Sequence, residues 1–338
     1  MYSFIRPLLF TLSPETAHRF TLKSLRLLHR LNLTHWTFGE TILAPRTVMG
    51  LTFPNPVGLA AGLDKNAEYL DCLGSLGFGF IEVGTVTPKP QSGNPLPRLF
   101  RLPSASALIN RLGFNNQGMN RVILHLQEQR QHFPGILGIN IGKNAVTTPE
   151  LTVSDYLVGF FNLYPHADYI AINISSPNTE QLRQWQHGEQ LDILLSSLKQ
   201  VQEQLANQHN KYVPLVVKIA PDLTAEEVTA LAHQLLTHKI DGVIATNTTV
   251  SRESVKTLSQ GNETGGLSGA PLTKVATQVV RQLQAVLQSQ IPIIASGGVM
   301  SVTDAQNKLN AGASLVQLYT GLIYSGPDLV REIVETIK

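Results

Sequence analysis

The sequence contains a single cysteine, Cys72, in 338 residues. A lone thiol excludes a disulfide framework and any cysteine-built zinc or iron–sulfur site, and it suits a reducing compartment. Cys72 lies in the helical-looking stretch Glu68-Tyr69-Leu70-Asp71-Cys72-Leu73, where a free cysteine packs as a small apolar residue. A charge excess is also missing. Lys and Arg number 26 against 24 Asp and Glu, a net +2, so the whole-chain balance does not point to a nucleic-acid partner. No run reaches the ~18–20 apolar residues that a spanning helix needs. Met1-Tyr2-Ser3-Phe4-Ile5-Arg6-Pro7 has neither the charged start nor the small-residue cleavage site of a signal peptide. There is no H-E-x-x-H or comparable motif, so no metal is expected. There is no G-x-S-x-G elbow either, and the histidines avoid the ends of the candidate strands, apart from His166, which leaves a serine triad without its base.

Acid is scarcest at the start: Glu15 is the only one in the first 39 residues. Ser13-Pro14-Glu15 reads as a helix start, with a serine cap, proline in the first turn and an acid beside them. The pattern predicts a helix to about Leu31, with Arg19, Lys23, Arg26 and Arg30 on one narrow face. Ala17, Phe20, Leu22, Leu25, Leu27, Leu28 and Leu31 cover most of the rest, and Phe4, Ile5, Leu8, Leu9 and Phe10 precede it. That is more apolar surface than one seam requires. Three readings stay open: a helix docked on the body with a solvated basic edge, a helix pair lying in a membrane surface, and a calmodulin-like target helix. Residues 1–40 form this unit and residues 41–338 the body.

After a hairpin around Arg46–Phe53, the body alternates short apolar runs with helical patterns. The runs are Val57–Ala60, Phe80–Val83, Ile136–Ile141, Tyr169–Ile174, Pro214–Ile219, Gly242–Ala245, Pro292–Ala295 and Ser314–Leu318. Continuous apolar strands imply burial on both faces and a parallel sheet, and eight β–α units match a (β/α)₈ barrel. An open doubly wound sheet is the rival, and it lacks its first-turn G-x-G-x-x-G. Every run turns polar at its C-terminal end, where a barrel places its chemistry.

Three groups gather there. Ser296-Gly297-Gly298 and Tyr319-Thr320-Gly321, with Gly265-Gly266-Leu267-Ser268-Gly269, suit a phosphate, since glycine lets backbone N–H groups close on an anion. Asn110, Asn140, Asn173, Asn178 and Asn247, with Lys65 and Lys218, suit a planar ligand bearing carbonyls, ring N–H groups and a carboxylate. Asn110–Asn116 reads as a long polar loop able to reach over the site. Ser175 and Ser176 lack a base, which leaves a serine as a proton carrier in a water-poor site beside a cofactor, with Thr179 or water as the outlet.

These segments resemble the dihydroorotate dehydrogenase family. The resemblance rests on Ala61-Gly62-Leu63-Asp64-Lys65, Asn110-Arg111-Leu112-Gly113-Phe114, Gly138-Ile139-Asn140-Ile141-Gly142-Lys143, Asn173-Ile174-Ser175-Ser176-Pro177-Asn178-Thr179 and Gly266-Leu267-Ser268-Gly269, and it runs end to end. The N-terminal extension and the serine are similar to the quinone-dependent, membrane-associated class. The resemblance implies an FMN barrel of pyrimidine synthesis that oxidises dihydroorotate to orotate, with Ser176 as the base. It implies substrate contacts from Lys65, Asn110, Arg111, Leu112, Gly113, Phe114, Asn173, Asn178, Asn247 and Thr248. FMN contacts would come from Ala61, Gly62, Leu63, Asp64, Lys65, Thr85, Asn140, Asn173, Lys218, Thr246, Gly269, Gly298, Tyr319 and Thr320. A quinone tunnel would involve His18, Arg101 and Tyr319. The expected partners are the substrate, a membrane quinone and the cytoplasmic side of the cell membrane, to which a monomer would bind peripherally. Two alternatives are a soluble-class flavin barrel, whose relatives use a cysteine base, and a non-redox phosphate-binding barrel. One departure is plain: the family follows its motif with T-P-G-L-R, and here the chain reads Thr179-Glu180-Gln181-Leu182-Arg183.

Overall fold

A computed structural model describes residues 2–337. Three helices come first: α1 (Tyr2–Thr11), α2 (Pro14–Arg30) and α3 (Thr34–Phe38). Ser13 caps α2 by accepting from the Thr16 N–H, with Pro14 in the first turn, as the sequence predicts. Ala17, Leu22 and Leu25 form its buried seam. Phe4, Leu8, Phe20, Leu27, Leu31 and Trp36 stay exposed, while Leu9, Phe10 and Leu28 are half-buried. The four cations do not share a solvated edge, because Arg26 lies beside the seam and turns inward. It donates to the Glu68 carbonyl at 2.6 Å and lies 3.9 Å over the Tyr69 ring.

Polar contacts fasten these helices to the body. The Arg98 Nε reaches Glu15 at 2.9 Å, Tyr2 donates to the Ile323 carbonyl, and Arg6 to the Tyr324 carbonyl. Arg101 donates to the carbonyls of Phe10 and Leu12 at the end of α1, where the helix has no partners of its own for them.

The hairpin pairs β1 (Arg46–Val48) with β2 (Leu51–Phe53). There follow β3 (Val57–Leu59), α4 (Leu70–Gly74), β4 (Phe80–Val86), β5 (Leu99–Leu102), β6 (Ala107–Asn110), α5 (Met119–Gln129), β7 (Ile136–Ile141), α6 (Thr152–Leu163), β8 (Tyr169–Asn173) and α7 (Gly188–His209). The chain ends with β9 (Leu215–Ile219), α8 (Ala225–Thr237), β10 (Gly242–Ala245), β11 (Gly266–Gly269), α9 (Thr273–Leu287), β12 (Ile293–Ser296), α10 (Val302–Asn310), β13 (Leu315–Leu318), α11 (Thr320–Ser325) and α12 (Asp328–Thr336). Strands β3, β4, β7, β8, β9, β10, β12 and β13 pair in parallel in that order and close on β3. This is the expected (β/α)₈ barrel.

The barrel interior is layered by the two-residue period of its strands. Its lower layer is apolar: Phe80, Tyr169, Ala171, Val216, Ile244, Ile294 and Leu315, plugged from below by Val48 and Phe53 of the hairpin. Two residues further along the same strands, the inward positions become Glu82, Asn173, Lys218, Thr246, Ser296 and Gln317, all buried. Gly138 leaves room for the lower layer, since a Cβ there would meet the Tyr169 ring at 2.1 Å.

Three local readings need correction. Asn110 does not begin a loop but ends β6, which pairs with β5 and β11 in a small antiparallel sheet over the barrel mouth. Gly266–Gly269, read as a glycine loop, is β11 of that sheet. Helix α4 starts at Leu70, after Glu68, because the Asp64 carboxylate takes the N–H groups of Asn66, Glu68 and Tyr69 into a turn. Cys72 is fully buried, and burial pushes its thiol well above the usual range, in keeping with a packing role.

Gly138→Ala should destabilise the chain by roughly 1–3 kcal/mol, the cost of overpacking a filled core. Chemical denaturation would show a lower midpoint with an unchanged slope; an unchanged midpoint would contradict this account of the lower layer.

Candidate active site

Above the polar layer the mouth opens into a cavity. It is lined by Ala61, Gly62, Lys65, Thr85, Asn110, Leu112, Gly113, Phe114, Asn173, Ser176, Asn178, Lys218, Thr246, Asn247, Thr248, Gly269, Gly298, Tyr319 and Thr320. The structure therefore brings most of the expected substrate and cofactor residues to one place. Asn140 lies just beneath them, fully buried. Arg111 turns away, pairing with Glu263 at 2.6 Å and stacking on Phe100. Leu63 and Asp64 face a neighbouring cavity instead.

The two serines differ in what their hydroxyls do. Ser175 is fully buried; its Oγ donates to Asn173 Oδ1 at 3.2 Å and accepts from Asn247 Nδ2 at 3.0 Å. Ser176 lines the cavity, and its Oγ accepts from the Asn178 N–H at 3.2 Å. Among the described residues, nothing accepts the Ser176 O–H proton. Ser175 is thus committed to the scaffold, and Ser176 has a hydroxyl to spare.

Asn178 and Asn110 meet across the mouth, with the Asn178 Nδ2 on Asn110 Oδ1 at 3.2 Å. Deeper, Thr85 Oγ1 and Asn173 Nδ2 both donate to Asn140 Oδ1, at 2.6 and 3.1 Å. Lys218 stands 3.7 Å from Glu82, both nearly or fully buried.

On the β12 and β13 side, Gly297 and Gly298 have positive φ angles of 95 and 70. A Cβ on Gly298 would meet the Thr273 backbone at 2.4 Å. Among the described residues, the backbone N–H groups of Gly298 and Thr320 have no intramolecular acceptor. Such unpaired donors suit a phosphate. At the cavity floor, Gln317 has a buried Oε1 with no partner, an acceptor open to a ligand N–H. With Lys218 beside it, this donor and acceptor set fits a flavin that carries a phosphate.

A second cavity lies between α2 and the body, lined by His18, Glu15, Leu22, Leu63, Tyr69 and Arg98 among others. Lys65, Leu112 and Tyr319 line both cavities and so divide them. Burial first, and then the nearby Lys65 charge, push the His18 imidazole down to about 4, while burial lifts the Tyr319 phenol to about 12. Both are therefore neutral near pH 7. Of the three expected tunnel residues, His18 and Tyr319 share this cavity, while Arg101 is spent on the end of α1.

Some residues escaped the sequence reading. Glu82 and Gln317 were not singled out, though an acid inside Phe80-Ile81-Glu82-Val83 was a signal. Arg183 clamps three loops, donating to the carbonyls of Ser175 at 3.1 Å and Thr248 at 2.8 Å and pairing with Asp222 at 2.7 Å. Gln181 takes the left-handed φ of 54, at the position where the family pattern has glycine.

Residues 43–338 match the family model described as Dihydroorotate dehydrogenase. A protein of Herminiimonas arsenicoxydans named Dihydroorotate dehydrogenase (quinone) is 55% identical over 342 residues, covering 100% of this chain and 98% of that one. One of the same name from Nitrosomonas europaea is 56% identical, covering 100% of this chain and 97% of that one. The solved structure of the Eimeria tenella DHODH in complex with ferulenol aligns with a TM-score of 0.86 at 38% identity, covering 95% of this chain and 90% of that one.

Lys65 donates to the Gly62 carbonyl at 2.8 Å, and burial, followed by the Arg98 charge, lowers its ammonium to about 8. The charged form holds an anion, so affinity for orotate should be full below that pH. It should fall as pH rises through about 8, by up to about tenfold per unit. Orotate titrations across this range should show the fall, and Lys65→Met should abolish it. A flat profile in the unaltered chain would remove Lys65 from the anion site.

Proposed function

This chain belongs to the dihydroorotate dehydrogenase family, a family of oxidoreductases, and from that premise we propose that it oxidises (S)-dihydroorotate to orotate in de novo pyrimidine synthesis, with FMN as cofactor and a membrane quinone as electron acceptor. The observation that carries this reading is the Ser176 hydroxyl, free to trade a proton in a cavity ringed by Asn110, Asn173, Asn178 and Asn247.

Lys65 holds the substrate carboxylate, and the amide ring holds the carbonyls and ring N–H groups, each able to donate and accept. Asn178 fixes the Ser176 oxygen through its backbone N–H, with a lone pair left for the substrate. The proton on carbon-5 passes to that oxygen, and the serine's own proton leaves toward Thr179 or water. Flavin supplies the two-electron acceptor for the hydride leaving carbon-6. One C–H pair thus loses a proton and a hydride, and the double bond of orotate forms between the two carbons. Serine is a weak base alone, and removal of the hydride acidifies the proton it takes. Lys218 lines the cavity and would lend positive charge to negative charge developing on a ring held there.

The second cavity supports a quinone path, with neutral His18 at its wall and Tyr319 at the partition. Phe4, 86% exposed, and Leu8, 70% exposed, lie on α1 and Trp36, 86% exposed, on α3, while α2 between them exposes Arg19, Lys23 and Arg30. Apolar side chains with cations nearby suit the headgroup boundary of an anionic bilayer. No helix among the described residues is long and apolar enough to cross a membrane; the contact proposed is peripheral, through these exposed residues, on the cytoplasmic side.

Ser176→Ala should slow dihydroorotate-driven flavin bleaching by about 10²–10⁴-fold, and Ser175→Ala far less. Stopped-flow absorbance measures both, and equal losses would reassign the proton carrier. Replacing Phe4, Leu8 and Trp36 together by Ser in the full chain should cut sedimentation with anionic phospholipid vesicles and leave bleaching intact. Undiminished sedimentation would remove these helices from the membrane contact.

A further inference from the structure

The polar layer has a single carboxylate at its root. Glu82 is fully buried on β4, and each neighbour facing it is a donor. Asn140 Nδ2 reaches Oε1 at 2.8 Å, Tyr169 OH and Gln317 Nε2 reach Oε2 at 2.9 and 2.8 Å, and Lys218 Nζ stands 3.7 Å from Oε1. A carboxylate in such company acts as an acceptor alone. An amide has one donating and one accepting end, so fixing one end fixes the other.

That constraint passes upward. With its Nδ2 held by Glu82, Asn140 must turn Oδ1 to the mouth, where it accepts from Thr85 Oγ1 and Asn173 Nδ2. Asn173 then turns its own Oδ1 outward, to accept from Ser175 Oγ and Asn247 Nδ2. Asn247 in turn points its Oδ1 at the Thr248 N–H, at 2.8 Å. The same logic turns the Gln317 Oε1 away from Glu82, where it has no protein partner. Four amides thus take their polarity from one buried acid.

We infer that Glu82 is a positioning residue: it sets the direction of the Asn140–Asn173–Asn247 amides and of Gln317, and holds the Lys218 charge, so that the cavity presents one fixed pattern of donors and acceptors. The inference rests on the flavin and dihydroorotate reading of this cavity, and it goes beyond that reading because Glu82 touches neither ligand. In Glu82→Gln an amide replaces the acceptor-only group at nearly the same size. It can donate as well as accept, so Asn140 and the amides above it lose their imposed direction. The negative charge beside Lys218 also disappears.

The test uses the flavin-loaded full chain and two readouts. Orotate affinity is taken from its perturbation of the flavin spectrum, and the flavin midpoint potential from anaerobic titration. Glu82→Gln should weaken orotate at least about tenfold and raise the potential, because an anionic ring is then less opposed. Adding Asn140→Asp to it moves the acceptor-only group up one position. That group receives the new amide from below and Thr85 and Asn173 from above, as before. The double variant should recover orotate affinity to within about threefold of the unaltered chain, a rescue that simple damage to packing does not give. If Glu82→Gln alone fails to retain flavin, recovery of flavin and orotate binding in the double variant gives the same support. Unchanged affinity and potential in Glu82→Gln, or a double variant that binds no better than the single one, would overturn the inference. An unaltered chain that binds neither flavin nor orotate would instead defeat the underlying functional reading.

Discussion

A buried negative charge tolerates few arrangements. It must be surrounded by donors, because an unpaired ion in a barrel core costs several kcal/mol. At Glu82 those donors are Asn140, Tyr169, Gln317 and Lys218. Below this level the interior is an apolar plug of Phe80, Tyr169, Val216, Ile294 and Leu315; at and above it Glu82, Asn140, Asn173, Lys218, Thr246, Ser296 and Gln317 can all make hydrogen bonds. The change takes one two-residue step along each strand. The rigid plug lets the polar layer be exact in direction without being exposed to water, and it gives the mouth a floor that does not depend on loops.

The upper side of the mouth is built differently. There β5, β6 and β11 form a separate antiparallel sheet, which carries Asn110 and Gly269 over the barrel. Beside it, Arg183 ties the loop bearing the serines to the carbonyl of Thr248 and to Asp222. Gln181 holds a left-handed turn without the glycine seen in the family pattern, and the Arg183 contacts account for how the loop keeps its shape. Lys65, Leu112 and Tyr319 form the partition between the site and the cavity under α2. Only a few side chains thus separate the two cavities.

Much of this was legible in the residues. The eight apolar runs and their polar ends gave the barrel and its functional end, because strand burial and loop chemistry are local properties. The Ser13 cap and the hairpin were legible for the same reason. The roles of Ser175 and Ser176 were separable only through resemblance, since adjacent residues of one type differ in direction alone. Asn110 read as a loop residue because its partner, Gly266, lies far along the chain and the pairing is non-local. Glu82 was overlooked inside an apolar run, although its cost makes it the residue most in need of explanation. Arg26 was grouped with Arg19, Lys23 and Arg30 on spacing, which cannot register a carbonyl and an aromatic ring supplied by another segment.

The central claim is that this one chain couples dihydroorotate oxidation in the barrel mouth to quinone reduction through the cavity beneath α2. The most direct test is anaerobic sequential mixing of the purified, flavin-loaded chain, first with dihydroorotate and then with a short-chain quinone, followed by flavin absorbance. The account predicts bleaching in the first step and recovery of the oxidised spectrum in the second. No bleaching, or a bleached flavin that quinone leaves reduced while fumarate or a nicotinamide reoxidises it, would contradict it.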